Sequence, residues 1–151
     1  MGLFTSINIA STGLAAERLR SDVISDNIAN ASTTRTQDGG PYKRSRVIFA
    51  PVAEKPTFRT PYLPENLDNG PGKGVKVKEI VKDTSRGTLI YDPDHPDAIK
   101  SGPEKGYVEY PNVNIVNEMV DLIASSRAYE ANTTVIESAK SMFSAALEIG
   151  R

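Results

Sequence analysis

All ten prolines of this 151-residue chain fall between Pro41 and Pro111. A proline removes a helical N–H and clashes with the turn before it, so long helices are confined to the two ends. The sequence therefore divides into an N-terminal helix over about 1–31, an insert over 32–111 and a C-terminal helix over 112–151. This is an α+β plan: two long terminal amphipathic helices, coiled-coil-like in their heptad spacing, bracket a small Pro/Gly-rich β domain.

The first helix carries Leu3, Ile7, Ala10, Leu14, Ile24 and Ile28 at alternating spacings of four and three, interrupted by Glu17 and Ser21. Gly13 is its weak point, costing about 1 kcal/mol relative to Ala. The last helix keeps the alternation through Ile115, Met119, Leu122, Ser126, Tyr129, Thr133, Ile136, Lys140, Phe143 and Leu147. Asn112 or Asn114 is expected to cap its start, and Gly150 to stop it. Inside the insert, Arg46–Phe49, Gly74–Val81 and Thr88–Tyr91 read as short strands. The stretch 51–73, with five prolines and an Asn69-Gly70 turn, reads as an extended loop.

Composition limits what such a chain can do. Hydrophobic residues make up 38% and aromatics 7%, with no Trp. Both helical stripes are rich in Ala and Ser, which let helices approach closely but bury little area. Two solutions stay open: the helices pack against other copies or relatives, or they form a layer on the small sheet within one monomer. Eighteen basic and nineteen acidic residues give a net charge of −1, which argues against nucleic acid as a partner. The absence of Cys and the single His95 leave little for metal or nucleophile chemistry, so no catalytic residue, no metal and no cofactor is expected. No apolar run reaches the ~18 residues that span a bilayer, so no stable membrane insertion is expected, and the N-terminus does not resemble a cleaved leader.

Four short patterns read as ordinary structure. Asp92, Asp94, His95 and Asp97 are separated by prolines and lack an EF-hand glycine, so they read as a solvated turn. Gly70-Pro71-Gly72-Lys73-Gly74 lacks the Ser/Thr and the helix of a phosphate loop. Tyr42–Arg46 is basic and reads as a strand edge or interface rim. Gly2 with Ser6 matches the myristoylation pattern, but the residues that follow read as a packing helix.

Asn27-Ile28-Ala29-Asn30 at the end of the first helix resembles the N-terminal signature of bacterial flagellar axial proteins, the rod and hook family. Glu118-Met119-Val120-Asp121-Leu122 through Ser125-Ser126-Arg127-Ala128-Tyr129-Glu130-Ala131-Asn132 resembles the C-terminal signature. Asp38–Arg44, Gly74–Val77, Tyr91–Pro93 and Lys105–Val113 are similar to the short proximal-rod branch of that family, whereas 51–72 is longer and more Pro-rich. The resemblance spans nearly the whole chain.

It implies a structural subunit of the proximal rod, built helically through its terminal helices to transmit torque. The implied location is the basal body in the periplasm, reached through the flagellar type III export apparatus without a cleaved signal peptide. Implied partners are its own copies, proximal and distal rod subunits, and a rod-base adaptor. The candidate subunit-packing residues are Leu14, Ile24, Asn27, Ile28 and Asn30 in the first helix. In the second they are Met119, Leu122, Tyr129, Asn132, Ile136 and Phe143. The three amides can alternatively serve as simple caps. The competing reading is a cell-wall or ligand-binding module using the β-rich insert.

Overall fold

The computed structural model describes residues 3–37, 39–52 and 72–149. Helix α1 runs Leu3–Ala29 and α2 runs Ile115–Ile149. Between them lie β1 (Ser45–Pro51), β2 (Val75–Lys82), β3 (Leu89–Tyr91) and β4 (Tyr107–Glu109). β1 pairs with β2, and β3 with β4, in two separate two-stranded sheets. The architecture is thus two terminal helices with small sheets between them, an α+β arrangement. The expected loop 51–73 lies almost entirely outside the described residues, as do Gly2 and the expected stop at Gly150.

The helix ends follow from local chemistry. Asn114 caps α2: its Oδ1 accepts the N–H groups of Val116 at 3.0 Å and Asn117 at 3.2 Å. Asn112, the other cap candidate, does something else, described below. α1 closes without a glycine. The Asn30 N–H donates to the Asp26 carbonyl at 3.0 Å, and its side-chain amide donates to the same carbonyl at 3.0 Å. Thr33 Oγ1 then donates to Asn30 Oδ1 at 3.2 Å, turning the chain into the insert.

The chain forms two compact units. The first comprises Met1–Leu19, Ile48–Glu79 and Ser125–Arg151. Its buried apolar residues are Ala10, Ala16 and Ala139. Small side chains let the α1 and α2 segments approach: a Cβ on Gly13 would sit 3.1 Å from the Asn132 amide. The glycine that weakens α1 as an isolated helix is therefore where Asn132 rests. Ser125, fully buried, donates its hydroxyl to the Glu17 carbonyl and lies equally near the Glu17 carboxylate, both at 3.0 Å. Thr12 ties α1 to β2, donating to the Ile9 carbonyl at 2.7 Å and accepting the Val75 N–H at 3.1 Å.

The second unit comprises Arg20–Val47 and Ile80–Ala124. Its buried apolar residues are Ile24 and Val108. β3 and β4 are antiparallel, with Leu89 opposite Glu109, Ile90 opposite Val108 and Tyr91 opposite Tyr107. The Tyr91 and Tyr107 rings meet edge to face at 5.2 Å. Gly106, at φ +87°, allows this: a Cβ there would lie 2.9 Å from the Tyr91 ring. Sequence periodicity misses β4 because three residues between Gly106 and Pro111 are too few to show an alternation. The other three strands fall within a few residues of their expected positions.

Candidate subunit-packing residues and their polar anchor

The most constrained side chains of the second unit converge on Asn27. This residue is 1% exposed, although its side chain is polar. Its Nδ2 donates to the Ser45 carbonyl at 2.8 Å and to Glu118 Oε2 at 3.0 Å. Its Oδ1 accepts the Ser45 N–H and the Tyr42 hydroxyl, both at 2.9 Å. Both amide hydrogens and both oxygen lone-pair sites are thereby used.

Glu118 is also 1% exposed. Its other oxygen, Oε1, lies 2.5 Å from Arg44 Nε and 2.5 Å from Arg44 Nη2. Asp121 approaches the same guanidinium at 3.4 Å. The Arg44 N–H donates to Asn112 Oδ1 at 3.0 Å, and Asn112 Nδ2 donates to Ser85 Oγ at 2.9 Å. Burial holds the Tyr42 phenol above its ordinary pKa of 10.0, and the Asp26 carboxylate, 2.9 Å from its hydroxyl, adds to the effect. The phenol therefore stays protonated, and its single hydrogen is shared between the Asp26 carboxylate and Asn27 Oδ1, each 2.9 Å away. A buried charge without partners would cost several kcal/mol. Here the charged groups are paired and only the single Tyr42 hydrogen is shared between two acceptors, so the cluster specifies one arrangement of α1, β1 and α2 within this unit.

Sequence reasoning singled out Asn27 but not its partners. Glu118 reads from sequence only as an acid in the first turn of a helix, favourable to the helix dipole. Tyr42–Arg46 reads as an edge or rim. In the structure Tyr42 and Arg44 turn into the cluster, while Lys43 and Arg46 are exposed. Tyr42 and Arg44 lie two residues apart in an extended segment and so share one face, which is the local signal for their joint burial.

The remaining candidates divide by unit. In the second unit Ile24 is buried, Ile28, Asn30 and Leu122 are half-buried, and Met119 is 52% exposed. In the first unit Leu14, Asn132 and Ile136 are half-buried, and Tyr129 and Phe143 are exposed. Phe143 meets Phe4 edge to face at 6.1 Å. Asn132 Nδ2 donates to the Ala128 carbonyl one turn back at 2.9 Å. The two long helices thus leave large apolar side chains outside: Val116, Val120 and Ile123 in one unit, Met142 and Leu147 in the other.

Other polar groups form local structure. His95 Nδ1 accepts the Asp97 N–H at 3.1 Å, and Asp97 accepts the Thr34 hydroxyl at 2.9 Å. Among the described residues no group of three His, Cys, Asp or Glu side chains is placed to hold a metal ion. No described helix is long and apolar enough to cross a membrane. The Arg86 guanidinium, hydrogen-bonded to Glu104, holds that carboxyl below its ordinary range.

Comparison with known proteins places these features. Residues 7–36, which include Asn27 and Asn30, match the family model described as flagella basal body rod protein. Residues 104–149, which include Glu118 and Asn132, match the C-terminal model described for the flagellar basal body rod FlgEFG proteins. The flagellar basal-body rod protein FlgC of Borreliella burgdorferi is 65% identical over 99% of this chain and 98% of its own length. The chain belongs to the FlgC family of flagellar basal-body rod proteins. FlgC of Bacillus subtilis is 41% identical over the full length of both chains, and FlgC of Salmonella typhimurium is 34% identical, again over both full lengths. This FlgC-family chain is accordingly a structural subunit of the flagellar basal-body rod and not an enzyme.

Proposed function

We propose that this subunit builds the proximal part of the rod by helical self-assembly through α1 and α2, and that the packed helices carry torque. The observation that carries this reading is the chemistry of α2. Met119 is 52% exposed, and Val116, Val120, Ile123, Met142 and Leu147 are more than half exposed. An isolated chain gains nothing from keeping so many large apolar groups in water. Coiled-coil-like contacts with its own copies and with proximal and distal rod subunits would cover them. Contacts of this kind are heterologous and do not close, which suits a tube rather than a ring of fixed size.

In this reading the functional division follows the sequence: 1–31 and 112–151 as axial helices, 32–111 as the insert. Leu14, Ile28, Met119, Leu122, Tyr129, Ile136 and Phe143 supply the seams, and Ile24, buried within the chain, supports them from beneath. Asn27, Asn30 and Asn132 position backbone next to them. The site of action is the periplasmic part of the basal body, reached through the flagellar type III export apparatus without a cleaved leader, and a rod-base adaptor is a further partner.

The test uses a strain carrying the chain as its sole rod subunit of this type. Met119→Asp places a charge on an exposed position, so the free chain should fold and melt as before while rods fail to form and the cells stop swimming. Ile28→Asp and Ile136→Asp, at half-buried positions, should give the same motility loss. Normal swimming in the Met119→Asp strain would overturn the packing reading.

A further inference from the structure

We propose that the Asn27 side chain closes the outer edge of β1 against strand addition by a second copy of this chain. β1 has β2 on one side, where the Arg44 carbonyl accepts the Asp83 N–H at 2.7 Å. Successive residues of a strand present their main-chain groups to opposite edges. The N–H and C=O of Ser45 therefore face away from β2, toward the side on which, among the described residues, β1 has no neighbouring strand. Both go to Asn27, the carbonyl at 2.8 Å and the N–H at 2.9 Å. Those are the two bonds an added strand would make at this residue, so the amide stands in for one.

Its orientation is fixed from behind. Turning the amide over would set Oδ1 against the Glu118 carboxylate and the Ser45 carbonyl, and Nδ2 against the Ser45 N–H. Tyr42 and Glu118 hold the productive orientation at 2.9 and 3.0 Å, and Arg44 holds Glu118. An aspartate has no hydrogens for Ser45, and a glutamine is one methylene too long. The need for closure lies in β1 itself, whose Val47-Ile48-Phe49 core is apolar and β-branched or aromatic, the composition that invites edge-to-edge pairing. Because the clamp comes from α1 and its support from α2, the edge is open until both helix segments of this unit have docked.

The experiment follows association during refolding of the full chain by dilution from urea. Light scattering gives the rate, and the infrared signature of intermolecular β-sheet separates edge pairing from helix association. Asn27→Ala is compared with Ile24→Ala, a nearby core truncation that lowers stability without removing either hydrogen-bond partner of the Ser45 main chain. Two lost hydrogen bonds correspond to about tenfold faster β-type association for Asn27→Ala than for Ile24→Ala. Adding Ser45→Pro removes the outward N–H and blocks the edge. The Asn27→Ala/Ser45→Pro chain should return to the Ile24→Ala rate, even though it is no more stable. Equal rates for Asn27→Ala and Ile24→Ala, or no suppression by the proline, would overturn the proposal.

Discussion

Replacing Glu118 by glutamine keeps shape and volume and changes only what the side chain can accept. In the native cluster Oε1 accepts from Arg44 at 2.5 Å and Oε2 accepts from Asn27 at 3.0 Å. Glutamine has one oxygen and one NH2. With its oxygen toward Arg44, two amide donors face each other and a buried Asn27 hydrogen loses its acceptor. Turned over, the NH2 faces a guanidinium. The first arrangement is cheaper, and it still gives up one charge-assisted hydrogen bond and weakens the ion pair. Arg44 keeps some access to water and a second carboxylate in Asp121 at 3.4 Å, which softens the loss. We expect a destabilisation of about 2–3 kcal/mol. For a chain of this size that is a fall in Tm of about 4–12 °C. Urea unfolding followed by circular dichroism should show a lower midpoint with an unchanged slope. The pair Arg44→Met with Glu118→Leu, which replaces both charges by apolar groups, should recover the ion-pair part of the loss but not the part due to Asn27, whose buried amide hydrogen still lacks an acceptor, and so should stay about 1–3 kcal/mol below the native chain. A Glu118→Gln midpoint within about 0.5 kcal/mol of the native value would mean that the cluster does not hold the free chain together.

Two further substitutions test the second unit. The Tyr42 phenol is held above its ordinary pKa by burial and by Asp26. Its folded pKa exceeds its unfolded one, so the stability it contributes is full below the ordinary phenol range and is lost as pH rises from that range through the folded value. Phenolate absorbance should reveal one late-titrating tyrosine, and Tyr42→Phe should abolish that step of the pH profile. Gly106→Ala should lower stability by about 1–2 kcal/mol, because alanine is strained at φ +87° and its methyl meets the Tyr91 ring. Near-ultraviolet circular dichroism of the tyrosines should change with it, and an unaltered spectrum at native stability would refute the account.

What sequence alone conveys depends on how far apart cooperating residues lie. Both helices are legible from proline exclusion and from the four-and-three spacing, because those signals are local. β1, β2 and β3 are legible from short apolar alternations between turn residues. β4 is not, since its strand state is set by pairing with β3 and by the turn at Gly106. The importance of Asn27 is legible as an amide at a helix end, but its role is not. That role needs Ser45, 18 positions away, and Glu118, 91 positions away, neither of which carries a local mark. Gly13 is the reverse case: propensity marks it as a defect, and only the place of Asn132 explains it.

The buried apolar set among the described residues, Ala10, Ala16, Ile24, Val108 and Ala139, also fixes the thermal character of the free chain. Heat capacity rises on unfolding in proportion to the apolar surface that becomes wet, and about 12–15 cal/mol/K per residue is ordinary for domains with full cores. With alanine prominent among these side chains and Leu14, Ile28, Leu122 and Ile136 only half-buried, less such surface is exposed on unfolding than from a full core. Calorimetry of the isolated subunit should therefore find a small heat-capacity increment and a shallow stability curve. The surface that normally generates curvature is already in water on α2. Under the proposed packing, covering that surface makes association, rather than folding, the step with a strongly negative heat-capacity change, so warming and cooling should act on rod assembly more steeply than on the fold of its subunit.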